Sequence, residues 1–242
     1  MQSNKLQEPT DIRSRLDHDK FCFIPGGKVF DRLTCSLSSW TDFVQSWNDL
    51  PQDQFMADGG KYRYRRHANY TISVDGKLAR NSHRPHFQAN EFNQLNGGIE
   101  RWFASMTSTI ADGAVMHSFI SVASNAFGLD RANSWLIEAH QFRIVATSAA
   151  GKPTPEGLHR DGVDFVLISL IGRDNVLGGI TRVETTRKSN EPYTIELLKP
   201  CDSLLLVDRY VKHEVSAIQL EDKHRQGHRD VLVLTFAKQS SV

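Results

Sequence analysis

Cysteine is scarce in this chain: Cys22, Cys35 and Cys201 are the only three in 242 residues. They are odd in number and widely scattered, which excludes a disulfide framework. None falls in the Cys-x-x-Cys spacing of a zinc site, so small buried thiols are the expectation. Charge of one sign is lacking too. Lys plus Arg is 29 and Asp plus Glu is 28, for a formal net charge of +1. The basic excess of a nucleic-acid binder is therefore missing. No apolar run approaches the ~20 residues of a membrane span. The start, Met1-Gln2-Ser3-Asn4-Lys5, lacks the apolar core of a signal peptide. These absences predict a cytoplasmic, reduced protein with neither a nucleic-acid nor a membrane partner.

Familiar catalytic signatures are missing as well. The chain has no Gly-x-Gly-x-x-Gly, no P-loop, no Gly-x-Ser-x-Gly and no His-Glu-x-x-His. His159-Arg160-Asp161 invites a protein-kinase reading, but Gly162-Val163-Asp164-Phe165 follows without the required Lys and Asn. There is no internal repeat, heptad or low-complexity segment. A hydrophobic fraction of 39% with 24% charged residues argues for a folded core over disorder.

The length suits one domain spanning 1–242, with a mixed helical and strand part over 1–134 and a β part over 135–242. Residues 1–10 read as frayed. A short helix is expected over Asp11–Asp19, then a strand at Phe21–Ile24 stopped by Pro25-Gly26-Gly27. Trp40, Phe43, Val44 and Trp47 make one apolar stripe, which predicts a helix over Ser38–Leu50. Lys61–Arg66 and Tyr70–Val74 read as strands before the Asp75-Gly76 turn. Their arginines suit a solvated strand face or a site for a small carboxylate. A long helical region is expected from Ile99 to about Phe127, broken at Asp112-Gly113, with Trp102, Phe103, Met106 and Ile110 in the core. From Trp135 onward the runs are short and strand-like: Trp135–Ala146, Phe165–Ile171, Ile180–Thr185, Tyr193–Leu198 with Ser203–Val207, Val211–Ile218 and Val231–Phe236. No helix separates them, so the pattern predicts an all-β barrel or jelly roll.

Within that part lies Gly157-Leu158-His159-Arg160-Asp161-Gly162, just before the apolar run at Phe165. On an extended chain residues i and i+2 share a face. His159 and Asp161 can thus converge on one ion, and His213 would complete a two-His, one-carboxylate set of the kind that holds Fe(II). His-x-Asp alone is weak evidence, because His228-Arg229-Asp230 repeats it by chance in a chain with ten histidines. The context decides. The order His-x-Asp, apolar strand, Gly178-Gly179 strand, Pro200-Cys201-Asp202 turn and strand, His213, Arg229 strand resembles Fe(II)/2-oxoglutarate oxygenases. Cys201 stands where a glycine is usual. That resemblance implies that Arg229 clamps the distal carboxylate of 2-oxoglutarate, with Arg225 as the alternative. The planar, always-charged fork of an arginine suits that task.

The chain more closely resembles the bacterial isoleucine dioxygenase family of free amino-acid hydroxylases. The residues that carry this are Phe87-Gln88 with Glu91-Phe92-Asn93, Gly97-Gly98 with Arg101 and Phe103, His140-Gln141-Phe142-Arg143, His159-x-Asp161, Gly178-Gly179, His213 and Arg229-Asp230 through Thr235-Phe236. The resemblance implies a mainly β protein with flanking helices and a double-stranded β-helix (jelly-roll, cupin-like) core. It also implies Fe(II), 2-oxoglutarate and O2, and hydroxylation of a free aliphatic L-amino acid with release of succinate and CO2. Glu214-Val215-Ser216-Ala217 and Arg160 depart from relatives and leave the substrate open.

A free amino acid needs a carboxylate binder and an ammonium binder. Arg143 is the first choice for the carboxylate, with Gln141 on the same face of its strand. Tyr64 and Arg65 are secondary candidates. Asp164 or Glu156 would meet the ammonium. His140 should face away from Gln141 and serve packing or a structural hydrogen bond, and His86 lies near the polar motif. Two alternatives stand beside this reading: the same chemistry on another small molecule or a peptide side chain, thioether oxidation included, and a metal-binding cupin-like sensor without turnover.

Overall fold

The computed structural model describes residues 12–186 and 192–239. Residues 1–10, read above as frayed, lie outside them. α1 (Ile12–Asp19) leads into β1 (Phe21–Ile24), α2 (Gly26–Phe30) and α3 (Leu37–Gln45). Ser36 caps α3 by accepting the Ser39 N–H at 3.1 Å. A 3-10 turn, Ser46–Asp49, extends it. β2 (Arg63–Ile72) and β3 (Leu78–Arg80) form a hairpin. α4 (Ser108–Ala111) and α5 (Ala114–Phe127) follow. The rest is β: β4 (Ser134–Ala146), β5 (Phe165–Asp174), β6 (Val176–Gly178), β7 (Ile180–Thr185), β8 (Tyr193–Glu196), β9 (Ser203–Val207), β10 (Val211–Val215), β11 (Ile218–Leu220) and β12 (Gly227–Gln239).

A seven-stranded antiparallel sheet in the order β1-β9-β5-β12-β4-β2-β3 forms the backbone of the molecule. The expected jelly roll is there, mainly β with flanking helices. The 1–134 and 135–242 parts share this one sheet, because β1 pairs with β9 and β2 with β4. Alternation along each strand sorts side chains to two faces. On one face Leu232, Leu234 and Phe236 of β12 and Ile137 and Ala139 of β4 pack against Phe43, Trp47, Met116 and Phe119 from the helices. On the other, Val166, Leu170 and Val231 meet Val183, Ile195 and Val211 from the smaller β10-β7-β8 sheet. Each such buried aliphatic stabilises by roughly 1.5–3 kcal/mol through lost water contact.

Two sequence expectations give way here. Residues 99–106 are not helical. Arg101 pairs with His86, and residues 104–106 run beside β2, with Met106 N–H donating to His67 O and His67 N–H to Ala104 O, both 2.9 Å. The helix-like spacing of Phe103 and Met106 places them in the core anyway, but Trp102 is 55% exposed. Pro25-Gly26-Gly27 stops β1 as expected, and then opens α2, which the sequence reading did not include. Gly26 is obligatory at that point: a Cβ would sit 2.0 Å from the Pro200 carbonyl oxygen. Its N–H donates to Asp202, whose other carboxylate oxygen accepts from Leu198 and Lys199. Cys201 occupies the left-handed region in this turn, φ 65°, the conformation for which glycine is the unstrained choice. The three thiols are free, with Cys22 and Cys201 buried and Cys35 half-buried. Among the described residues no helix is long and apolar enough to cross a membrane.

Candidate active site

His159 and His213 lie on neighbouring extended segments that exchange backbone hydrogen bonds. His159 Nδ1 hydrogen-bonds to the Gly157 carbonyl at 2.9 Å, so it carries the proton and Nε2 keeps its lone pair. That Nε2 is 3.8 Å from Asp161 Oδ1, and His213 Nε2 is 3.8 Å from Asp161 Oδ2. The three ligand atoms fall within 4.8 Å of one another. Burial, and then neighbouring His159, push the His213 pKa down to about 4, which keeps it neutral and able to coordinate. Burial opposes charge on His159 too, but Asp161, Glu156 and the Gly157 carbonyl raise its pKa overall. Two imidazoles and a carboxylate in this arrangement fit a divalent transition metal with open positions.

The loop that carries Asp161 is held by a residue the sequence did not reveal. Asp208 accepts the backbone N–H groups of Asp161 (3.0 Å), Gly162 (2.8 Å) and Val163 (3.1 Å). It is 1% exposed, and burial, then Asp161, push its pKa up to about 6. Its only sequence signal is an acid directly after the apolar run Leu204–Val207. Gly162 has φ 82° and passes so close to Phe92 that a Cβ would lie 2.5 Å from the ring. The chain reversal between the ligand loop and β5 thus needs glycine.

The triad opens into a cavity of about 360 Å³. Arg229, Val231, Val233 and Thr235 point into it from β12, and Glu138, His140, Phe142 and Ile144 from β4. Arg229 is 1% exposed, and two of its nitrogens, Nε and one Nη, have no acceptor among the described residues. Burial, then Arg173, lower its pKa to about 10, so it stays charged near neutral pH. Gly178-Gly179 makes room for it, since a Cβ on Gly179 would lie 3.0 Å from Arg229 Cδ. Arg225, the alternative, is outside the cavity and ion-paired on the surface with Asp174.

A second polar group lines the same cavity: Arg63, Arg65, Arg101, Gln88, His86, Glu138, His140 and Glu156. Asp53 accepts from Arg63 Nε at 2.7 Å and lies 3.7 Å from Arg65. Arg65 is sandwiched between the Phe103 and Phe142 rings, 3.5 and 4.2 Å from their centroids. His86 and Glu138 are 2.7 Å apart, and His67, His86, Glu138 and His140 are close enough to suggest a second metal site. The hydrogen bonds argue otherwise. Arg65 Nη2, always a donor, lies 2.7 Å from His140 Nδ1. His140 must therefore carry its proton on Nε2 and has no lone pair left for an ion. Burial, then Arg65, hold its pKa far below the usual histidine value.

Four of the residues expected at the substrate turn elsewhere. Arg143 donates through Nε and Nη2 to Asp230, both at 2.7 Å, and lines a different cavity with Tyr64. Gln141 donates to Ser46 Oγ at 2.7 Å. Asp164 is held by Arg209 and by the Lys238 N–H. The alternation of β4 is as expected, but its faces are reversed. The 3-10 turn Ser46–Asp49 covers the Gln141 face, with Trp47 donating to the Phe142 carbonyl at 3.0 Å, so His140 and Phe142 face the cavity. Arg65 does line it. The sequence offered Arg63 with Arg65 as a site for a small carboxylate, singled out Arg101 only as part of a motif, and did not foresee Glu138 in the cavity. A larger groove of about 900 Å³ lies along α1, α2 and α5, with Arg13, Arg32 and His117 in its lining, away from the triad.

Residues 44–235 match the 2OG-Fe dioxygenase family. The chain belongs to that family. Its closeness to solved structures agrees. A bsmA homolog from Methylobium petroleophilum PM1 is 34% identical, with 98% of both chains covered and a TM-score of 0.86. IDO from Bacillus thuringiensis has TM-score 0.77 at 19% identity, covering 97% of this chain and 98% of that one. The Fe(II)/(alpha)ketoglutarate-dependent dioxygenase TqaL has TM-score 0.72 at 17% identity, covering 95% and 87%. At these identities the last two speak for the fold alone. No curated protein matches the chain.

As a 2OG-Fe dioxygenase the protein is an oxidoreductase that uses Fe(II), 2-oxoglutarate and O2. The residues present fit both groups. His159, Asp161 and His213 supply the two-nitrogen, one-oxygen donor set for iron. Arg229 supplies unpaired, buried N–H donors that need an anion such as the far carboxylate of 2-oxoglutarate.

Proposed function

We propose that this protein hydroxylates a free aliphatic L-amino acid, isoleucine-like, at an unactivated side-chain carbon. The observation that carries this reading is the second polar group. A cavity of about 360 Å³ has apolar walls and, apart from Arg229, three buried arginines with N–H groups that no protein acceptor satisfies. That suits a small molecule with a carboxylate and an apolar side chain. The resemblance to amino-acid hydroxylases in Phe87-Gln88, Arg101 and His140-Gln141-Phe142-Arg143 supports the same class.

The geometry supports the following roles. His159, Asp161 and His213 hold the iron, and Asp208 fixes the loop that presents two of them. Arg229 orients 2-oxoglutarate through its distal carboxylate. Bound, the iron and 2-oxoglutarate supply the oxidising chemistry: one oxygen of O2 enters the substrate as hydroxyl, and the other enters succinate as CO2 leaves. Phe142, Ile144, Val215, Val231 and Val233 exclude water from the substrate side chain. The reducing interior expected of a cytoplasmic protein suits both ferrous iron and the three free thiols.

The test is to incubate the protein with Fe(II), ascorbate and 2-oxoglutarate across the free L-amino acids, and to measure succinate and product mass. One or a few branched or linear aliphatic amino acids should stimulate succinate release and gain one oxygen atom. Stimulation by none of them would overturn the reading. Ligand binding without succinate would favour a sensor.

A further inference from the structure

Opposite charges are left unsatisfied at two places in the cavity, and together they describe the main-chain end of a substrate. Arg101 is 2% exposed, and its Nε has no acceptor among the described residues. Its Nη2 makes only a long, 3.4 Å contact with Gln88 Oε1. Arg63 Nη2 and Arg65 Nε are buried without acceptors as well. Asp53 is committed to Arg63 and Arg65, and Glu138 to His86 and His67. Among the described residues no carboxylate hydrogen-bonds or ion-pairs with Arg101. Leaving a buried guanidinium donor unpaired is costly, so the arrangement calls for an anion from outside.

Glu156 shows the reverse. Its side chain is 11% exposed and lines the cavity. Oε2 is buried with no donor, while Oε1 lies 3.6 Å from His159 Nε2. Among the described residues Glu156 makes no hydrogen bond or ion pair with a lysine or arginine side chain. It lines the same cavity as Arg101. Three arginines, Arg63, Arg65 and Arg101, stand against three carboxylates, Asp53, Glu138 and Glu156. A zwitterion fits that balance, and a dianion or a simple cation does not.

We infer that Arg101, backed by Arg63, binds the α-carboxylate of the substrate, and that Glu156 binds its α-ammonium group beside the metal ligand His159. The clamp rests on the amino-acid reading above and goes further: it requires both main-chain charges. Peptides, N-acylated amino acids and simple fatty acids are then excluded. It also brings the main-chain end close to the triad, so a carbon near the ammonium is favoured for oxidation over the tip of a long side chain.

The test uses the full chain loaded with Mn(II) and 2-oxoglutarate without oxygen, titrated calorimetrically with L-isoleucine, L-isoleucinamide, N-acetyl-L-isoleucine and 3-methylpentanoate. Each analogue lacking one charge should bind at least about 100-fold more weakly than the amino acid. Glu156→Gln should weaken isoleucine binding and abolish the penalty for removing the amine, so that isoleucine and 3-methylpentanoate bind alike. Arg101→Met should do the same for the amide. A residue that merely supports the fold would not shift these ratios, and melting temperature and 2-oxoglutarate binding show whether the variants fold. If isoleucine binds and its amide and N-acetyl forms bind as well, the clamp alone is wrong. If neither isoleucine, leucine nor methionine binds, the amino-acid reading fails and the clamp with it.

Discussion

His159 and His213 donate their backbone N–H groups to each other's carbonyls, at 3.1 and 2.9 Å, and their rings lie 4.5 Å apart. Two ligands far apart in sequence are thereby set by main-chain pairing before any metal arrives. Asp161 closes the group at 3.8 Å from each imidazole. Replacing Asp161 or His213 with alanine should lower iron affinity and succinate formation by on the order of 100-fold or more, since even outer partners of metal ligands contribute 10–100-fold. Metal titration and turnover check this. Retained activity in either variant would remove the triad.

Asp208 should act through that loop. Asp208→Asn replaces a carboxylate that accepts three backbone N–H groups with an amide that accepts through one oxygen. Iron affinity should fall about 10–100-fold with the fold retained. Metal binding measured alongside circular dichroism separates this from unfolding. Unchanged affinity would make Asp208 a structural group only.

Arg229→Ala should raise the 2-oxoglutarate requirement about 10–100-fold, the range for losing a charge-assisted hydrogen bond. Arg225→Ala, on the surface beside Asp174, should leave it unchanged. Gly179→Ala should follow Arg229→Ala, because its Cβ would press on Arg229 Cδ at 3.0 Å. Saturation curves in 2-oxoglutarate read all three variants, and a reversed order between Arg225 and Arg229 would refute the assignment.

Acid should destabilise the metal-free protein through its buried histidines. Burial lowers the pKa values of His67 and His140, and that of His213 to about 4. In the unfolded chain these groups take up protons below about pH 6.5. The unfolded state then binds more protons than the folded one, so stability is present above that pH and falls as the pH drops. The slope is about 1.4 kcal/mol per pH unit for each such group. His159 and Asp208, whose pKa values are raised, the latter to about 6, oppose this in part. Thermal melts of metal-free protein between about pH 7 and about pH 5 should show a falling Tm. A flat or rising Tm would contradict the buried, neutral assignment.

Much of this was legible in the residues, and the failures have physical causes. Short apolar runs without intervening helices gave the jelly roll, and His159-x-Asp161 with His213 gave the candidate donor set that the structure brings together, because both depend on local spacing and strand order. The face of β4 was not legible. His140 and Arg143 are both polar, and only the packing of Trp47 and Ser46 decides which one is turned to the cavity. Arg101 was singled out, but its role depends on an acceptor that is missing in space. Residues 99–106 mimicked a helix because the periodicity of Phe103 and Met106 also suits an extended segment pinned to β2 by backbone hydrogen bonds. Gly178-Gly179 stood out as a motif, yet its reason, space for Arg229, appears only in three dimensions.

The central claim is that this site couples 2-oxoglutarate decarboxylation to oxygen insertion into a free aliphatic amino acid. The most direct measurement is the stoichiometry of the Fe(II)-loaded enzyme under isotopically labelled dioxygen with the preferred amino acid. Equal amounts of succinate and hydroxylated amino acid, with one labelled oxygen atom in each, are predicted. Succinate formed at the same rate with and without every amino acid, or product carrying no label, would contradict it.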